Sequence, residues 1–177
     1  LRSSEAGLKY FVLGALGTGM MLYGISLVYG YTGSIYFNII AQTLTGAERQ
    51  VGLLFGLVFI LAGLVFKISA APFHMWTPDV YEGAPTPITS FLSVASKGAG
   101  VAAFARVFFT ALPTFNEFYW GIMVAVLAAA AMIIGNITAV MQSNVKRMLA
   151  YSSIAHAGYL LVGFVALPQT QNDPPYG

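Results

Sequence analysis

Three side chains that can gain and lose protons lie inside long apolar runs of this 177-residue sequence: Lys67, Lys97 and His156. An ionisable side chain at bilayer depth costs ~2.5–3.5 kcal/mol on insertion scales, so it indicates a function by default. Lys97 and His156 lie ~14 Å and ~12 Å along their runs, near the middle of a ~30 Å hydrocarbon core. Lys67 lies ~24 Å along its run, and a break at Pro72 lengthens that crossing. Three such groups at similar depth predict a proton relay that runs parallel to the membrane.

The residue types suit proton exchange. Burial disfavours the charged form of an amine and a nearby carboxylate favours it, so a buried lysine changes protonation state when a neighbouring charge moves. Histidine has an ordinary pKa of ~6.5 and is a natural exchange partner. Arginine does not release its proton and could not serve. Because side chains on different helices rarely touch, buried water would have to bridge the groups.

Each relay residue also has a structural interpretation. Lys67 can snorkel from the end of a helix, and Lys97 can snorkel or act as a polar contact between helices. His156 can be a core histidine whose ring is bonded to a backbone carbonyl. Replacement of the lysines by Met or Leu separates the interpretations, because only a structural lysine tolerates it.

Four further residues are candidate accessories of the relay: Glu5, Lys9, His74 and Asp79. Glu5 and Lys9 are spaced i, i+4 on one helical face, where an ordinary surface pair is the alternative. His74 lies beside the break, and a structural role is the alternative there. Asp79 and its neighbour Glu82 more readily cap or tether a loop than carry protons.

The elements that position these residues are predicted to be membrane-spanning helices. The sequence is 58% hydrophobic and only 8% charged, whereas soluble domains average ~25% charged residues. Apolar runs of about the ~20 residues that a span needs predict an all-α, polytopic transmembrane helix bundle with about five spans. One span is broken at Pro72, because proline removes a backbone donor and clashes one turn back. The expected spans, within a single transmembrane domain over 1–177, are 8–31, 51–83 with the break, 88–112, 118–141 and 148–167, joined by polar turns that include 32–50 and 142–147.

Composition also excludes several classes of function. The chain has no cysteine, which excludes disulfides, thiolate metal sites and iron–sulfur ligation by its own residues. Two histidines without a nearby carboxylate pair do not predict a metal site. A net charge of +2 without a basic cluster does not predict nucleic-acid binding. The basic residues Arg2, Lys9, Lys146 and Arg147 are expected on one side of the membrane, the cytoplasmic or matrix side.

One stretch around the break carries a specific motif. It reads Phe73-His74-Met75-Trp76-Thr77-Pro78-Asp79-Val80-Tyr81 and follows Lys67 and Pro72. Together with the segments 93–97 and 144–159, it resembles the antiporter-like subunits of respiratory complex I, most closely the subunit N family (subunit 2 in mitochondria) of NADH:quinone oxidoreductase. The resemblance covers about residues 3 to 167. Multisubunit cation/proton antiporters share only a looser His-x-Trp-Leu-Pro-Asp form.

The resemblance implies an antiporter-like fold of two inverted repeats, each with a broken helix that carries a relay lysine. Lys67 matches the broken-helix lysine, Lys97 a connecting lysine on the next helix, and His156 a histidine toward the second repeat. Glu5 and Lys9 match a charged pair. The chain is expected to be an internal segment of a longer protein, with the carboxylate partner of Lys67 and the second repeat's central lysine outside it.

The implied function is proton translocation by a non-redox subunit of NADH:quinone oxidoreductase that is not catalytic in isolation. The family implies no cofactor in this chain, since NADH, FMN, iron–sulfur clusters and quinone bind other subunits. The expected partners are other membrane subunits of complex I and the lipid bilayer. The expected location is the bacterial plasma membrane or the mitochondrial inner membrane. The alternatives are a subunit of a multisubunit Na⁺/H⁺ antiporter and a non-conducting membrane scaffold.

Overall fold

The computed structural model describes residues 2–46, 51–111 and 119–166, and every regular element in these ranges is a helix. The α-helices are α1 (Arg2–Thr32), α2 (Phe37–Gly46), α3 (Val51–Ile68), α4 (Trp76–Gly83), α5 (Thr86–Phe91), α6 (Lys97–Arg106), α7 (Tyr119–Val140) and α8 (Val145–Ala166). Two π-helical turns, at Leu92–Ser96 and Val107–Ala111, join α5 to α6 and extend α6. The all-α prediction is confirmed.

Five helical segments are long and apolar enough to cross a membrane. They are Ser3–Thr32, Val51–Ile68, Thr86–Thr110, Gly121–Val140 and Val145–Ala166. This result agrees with the expected number of spans. The expected span ends at 112, 118 and 167 lie outside the described residues.

Two segments predicted as turns are partly helical. Within 32–50, α2 forms because Phe37 and Ile40 join the main core, and the helix packs against the π turn at Val107–Ala111. The predicted turn at 142–147 ends early, since α8 begins at Val145. Asn144 caps it: its side-chain oxygen accepts a hydrogen bond from the Lys146 backbone N–H at 2.9 Å, which satisfies a donor that the helix start leaves open.

The break after α3 is built by the backbone around Ser69. Ser69 has a φ of +62°, in the left-handed region that an L residue adopts only at a cost. Its N–H donates to the Phe66 carbonyl and the N–H of Ala70 donates to the Val65 carbonyl, both at 3.1 Å. This pair of bonds is a Schellman motif, which closes a helix by satisfying its last carbonyls. Pro72 follows and cannot continue α3, because it has no N–H to donate to a carbonyl one turn back.

Close packing of α1 on α3 depends on glycine. A Cβ at Gly24 would lie 2.5 Å from the Gly56 carbonyl oxygen and 2.8 Å from the Ile60 nitrogen. A Cβ at Gly56 would lie 3.1 Å from the Gly24 carbonyl oxygen. Small residues let helix backbones approach closely in lipid, where the hydrophobic effect gives little attraction between helices.

The remaining helices complete one bundle around the break. α6 packs on α3, and α7 packs on α8. The short α4 lies between α1 and α8. The main core is apolar throughout and takes in Phe104, Val124, Ile154 and Leu161, all fully or almost fully buried. A second core cluster surrounds Trp76 on α4.

Replacing Gly24 by Ala is expected to destabilise the full-length protein by about 1–3 kcal/mol, because the new methyl group meets backbone atoms of α3. The measurement is the thermal midpoint of the purified protein in detergent. Gly19→Ala on the same helix is the matched control. A Cβ at Gly19 meets nothing within 4 Å, and alanine improves helix propensity there. Equal midpoints for the two variants would contradict the packing described.

Candidate functional site

Lys97 is buried at the first turn of α6, with 7% of its surface exposed. Its Nζ donates to the Ser153 carbonyl oxygen at 2.9 Å and to the Ser153 Oγ at 2.6 Å, across to α8. The described ranges contain three acidic residues, Glu5, Asp79 and Glu82, and the ion pairs of all three are with Lys9 or Arg147. Within the described part of the chain, the Lys97 amine therefore has only neutral oxygen partners.

Lys67 lies in the last turn of α3 and is half-buried. Among the described residues its amine has no hydrogen-bond or ion-pair partner. A Cβ at Gly100 on α6 would lie 3.4 Å from the Lys67 Cβ and 3.0 Å from the Ile68 Cγ2. Glycine at this position lets the end of α3 approach α6 within one turn of Lys97. The structure thus brings the two lysine-bearing turns together.

His156 lies on an exposed face of α8. Its Nδ1 is 2.7 Å from the Ser152 carbonyl oxygen. Since a carbonyl can only accept, Nδ1 carries the proton in the neutral ring and Nε2 is left as the acceptor. The ring also makes an edge contact with Tyr159. Ser153, the partner of Lys97, precedes His156 by one helical turn.

The break itself holds a set of buried polar atoms. Ser69 Oγ, His74 Nδ1, Thr77 Oγ1 and Tyr81 OH have no hydrogen-bond partner among the described residues. Burial lowers the pKa of His74 and raises the pKa of the Tyr81 phenol. Buried polar atoms without partners are where ordered water binds in proteins.

An ionic cluster joins α1, α4 and α8 at one end of the bundle. We call it the end cluster, and its members are Glu5, Lys9, Asp79, Glu82 and Arg147. Lys9 Nζ is 2.8 Å from both Glu5 Oε1 and Asp79 Oδ2. An Arg147 nitrogen is 2.8 Å from Asp79 Oδ1 and 3.0 Å from Glu82 Oε2. These residues line a cavity of about 220 Å³.

Asp79 is central to the end cluster, because its two oxygens pair with cations on different helices. One oxygen pairs with Lys9 on α1 and the other pairs with Arg147 on α8. The hydrogen bond from Lys9, reinforced by the one from Arg147, holds the pKa of the Asp79 carboxyl below its ordinary value. Arg147 sits in the first turn of α8, where the helix dipole disfavours a cation. Two carboxylates from α4 offset that effect. Asp79 and Glu82 can both reach it because positions i and i+3 share a helical face.

The structure therefore groups the predicted residues into three places. Lys67 and Lys97 share the interface of α3 and α6, while Glu5, Lys9 and Asp79 meet in the end cluster. His74 lies in the break, and His156 faces outward. No group of three histidine and carboxylate side chains that could hold a metal ion occurs among the residues described.

Comparison with known proteins agrees with this architecture. The family described as NADH:quinone oxidoreductase/Mrp antiporter, TM matches residues 1–173. NADH-quinone oxidoreductase subunit N of Parvibaculum lavamentivorans is 56% identical over 165 residues, which cover 93% of this chain and 34% of that protein. The chain thus spans about a third of the length of the curated relatives it matches.

Two solved structures are similar. A chain of respiratory complex I from Thermus thermophilus with bound aureothin is 42% identical, with a TM-score of 0.70, over 89% of this chain and 33% of that one. A chain of the Mrp complex from Dietzia sp. has a TM-score of 0.83 at 22% identity, over 93% of this chain and 30% of that one. At that identity the second likeness shows the fold alone.

The family match covers nearly the whole chain, and it agrees with the resemblance carried by the motif around the break. The antiporter-like fold and the five apolar helices are consistent with it. The chain therefore belongs to the NADH:quinone oxidoreductase/Mrp antiporter transmembrane family and is a multi-pass membrane protein.

Proposed function

We propose that this chain forms part of a proton-translocating membrane subunit of an NADH:quinone oxidoreductase. The single observation that carries the proposal is Lys97, an amine buried inside a membrane-spanning helix with only neutral partners in the described residues. The identity to subunit N of bacterial NADH-quinone oxidoreductase supports the redox-linked form of the proposal.

The chemistry of the site suits a proton carrier. A lysine paired with a carboxylate is held charged, whereas an amine that faces hydroxyl and carbonyl oxygens responds to charges that appear nearby. Lys67, on the adjacent turn of α3, supplies such a charge when it is protonated. Repulsion between two ammonium groups at neighbouring turns favours protonation of one at a time, which moves a proton from one to the other.

The remaining predicted residues have supporting positions in this proposal. The unpaired polar atoms of the break, including His74 Nδ1, are sites where water would link Lys67 to the end of the bundle. His156 would receive protons beyond Lys97 through its Nε2, which points away from the bonded Ser152 carbonyl. Its exposed face is available for a further part of the relay.

The electron-transfer chemistry is assigned to other subunits. We propose that this chain holds no redox cofactor, and that NADH, FMN, iron–sulfur clusters and quinone bind elsewhere in the complex. Its partners are then other membrane subunits and lipid, in a bacterial plasma membrane or a mitochondrial inner membrane. Changes of charge at the quinone site would drive Lys67 and Lys97 to load and release protons.

Replacing Lys97 by Arg or Ala in the full-length subunit is expected to reduce the protons pumped per electron pair to below about a tenth of wild type. Arginine keeps the positive charge but cannot release its proton. The measurement is proton uptake into inverted membrane vesicles during NADH oxidation, and Lys67→Ala should show the same loss. Lys146→Ala is the control, because Lys146 is exposed and its amine has no hydrogen-bond or ion-pair partner in the described part of the chain.

Wild-type pumping in both Lys67→Ala and Lys97→Ala would contradict the proposal. Pumping that is lost with Arg but kept with Met would contradict it as well, because a scaffold tolerates an uncharged side chain of similar length. Transport that proceeds without NADH oxidation and depends on Na⁺ would instead indicate an antiporter subunit.

We assign the end cluster a tethering role, because the Asp79 carboxyl at its centre stays charged throughout the working pH range. A carboxyl whose folded pKa lies below its ordinary ~3.9 contributes stability that is present above that value and is lost as the pH falls through the lower folded value. Asp79→Asn is therefore expected to lower the thermal midpoint by about 2–4 °C, equally at about pH 6 and pH 8.

The same Asp79→Asn variant should still pump protons, because Asp79 tethers α4 and carries no proton in this proposal. Asn144→Ala, which removes the 3.1 Å hydrogen bond to Glu82 together with the cap of α8 and changes no charge, provides a comparison at the same end of the bundle. A lowering of the midpoint by Asp79→Asn that differs between about pH 6 and pH 8, or a loss of pumping as large as that of Lys97→Ala, would indicate that Asp79 exchanges protons.

A further inference from the structure

Ser153 is the hydrogen-bond partner of Lys97, and the positions of its two oxygens determine how it can stabilise the amine. Ser153 presents two acceptors to the same amine: the backbone oxygen at 2.9 Å and the side-chain Oγ at 2.6 Å. A hydroxyl that accepts from an ammonium group still carries its own proton, which needs an acceptor of its own. The group that accepts the Ser153 hydroxyl proton therefore affects how strongly Ser153 stabilises a charged Lys97.

Tyr81 of α4 lies beside the Ser153 hydroxyl, where its oxygen can accept that proton. Its phenol is buried, with 3% of the residue exposed, and faces the Ser153 hydroxyl. It has not completed a hydrogen bond, and its oxygen has no partner among the described residues. A hydrogen bond between the two hydroxyls would join three groups in one chain: the Lys97 amine, the Ser153 hydroxyl and the Tyr81 phenol.

Building on the function proposed above, we propose that Ser153 and Tyr81 are positioning residues that set the proton affinity of Lys97 through a reversible hydrogen-bond chain. When Lys97 is charged, its N–H donates to Ser153 Oγ, and the Ser153 O–H donates to the Tyr81 oxygen. When Lys97 is neutral, the Tyr81 O–H donates to Ser153 Oγ, and the Ser153 O–H donates to the amine lone pair. The two hydroxyls only turn in this reversal and keep their own protons, while the one proton that Lys97 loses leaves from another N–H of the amine toward Lys67, as in the relay proposed above.

The position of α4 controls whether the chain closes. Tyr81 lies between Asp79 and Glu82 in sequence, and those carboxylates hold α4 to α1 and α8 through Lys9 and Arg147. The aromatic contact of Tyr81 with Trp76, at 6.2 Å between ring centroids, keeps the phenol turned into the bundle. Ser153 belongs to the same helix as Arg147. Arg147 in the first turn of α8 thus holds α4 in place. Ser153, further along the same helix, lies beside Tyr81 and binds Lys97.

The experiment compares variants of the full-length subunit assembled in its complex in membrane vesicles. Hydrogen bonds to a charged group are stronger than neutral ones, so losing the Ser153 hydroxyl weakens the hold on charged Lys97 more than on neutral Lys97. Ser153→Ala should move the alkaline limb of the pumping pH profile down by about one pH unit. Ser153→Thr, which keeps the hydroxyl, should restore the wild-type profile.

Tyr81→Phe removes one oxygen that is already without a partner, so the variant should fold and assemble. It should shift the alkaline limb in the same direction by a smaller amount. Ser93→Ala is the control. It removes a hydroxyl whose hydrogen bond, among the described residues, is to the nearby Ser90 carbonyl, and its profile should match wild type.

Two results would overturn the inference. One is an unchanged alkaline limb in Ser153→Ala and Tyr81→Phe while Lys97→Ala abolishes pumping, which would leave the proposed function standing. The other is a uniform loss of rate in Ser153→Ala and Ser153→Thr without a shift, which would mark a packing role. Wild-type pumping in both Lys67→Ala and Lys97→Ala would reject the proposed function itself, so the two failures are distinguishable.

Discussion

An amine placed in a hydrocarbon interior needs a counter-charge or strong acceptors, because losing its hydration disfavours the charged form. The Lys97 site meets this constraint with acceptors alone in the part of the chain that is described, namely both oxygens of Ser153. Neutral acceptors stabilise the charge less than a carboxylate would. In the proposed relay this keeps the proton exchangeable, and the α3–α6 contact at Gly100 brings the backbone of Lys67 close to the Lys97 turn.

The helix break positions both the end cluster and Tyr81. Ending α3 at Ser69 frees the chain to turn and place α4 across the bundle between α1 and α8. Trp76 then fixes the turn, since its indole N–H donates to the Phe66 carbonyl at 3.2 Å, on the last turn of α3. One face of α4 carries the carboxylates of the end cluster and another carries Tyr81 toward Ser153. A short helix of this kind couples a solvent-facing ionic network to a buried amine.

Hydropathy and charge placement predict much of this protein. Lys67 and Lys97 are recognisable because a charge interrupts an apolar run, and Pro72 marks the break. The short α2 is not recognisable, since Phe37 and Ile40 gain their helical context only from packing on the distant π turn. Ser153 escapes notice because its partner is 56 residues away and serine is unremarkable in a helix. The pairing of Arg147 with Asp79 spans 68 residues and depends on where α4 lies, which no local pattern encodes.

The central claim is that Lys67 and Lys97 hold their amines inside the membrane, where they can exchange protons. The most direct test is an experimental structure of the full-length subunit in a lipid bilayer, at a resolution that shows ordered water. We expect to find the Lys97 Nζ hydrogen-bonded to Ser153, with water molecules joining it to Lys67 and to the polar atoms of the break. Both amines in bulk solvent, with no wet path connecting them, would contradict it.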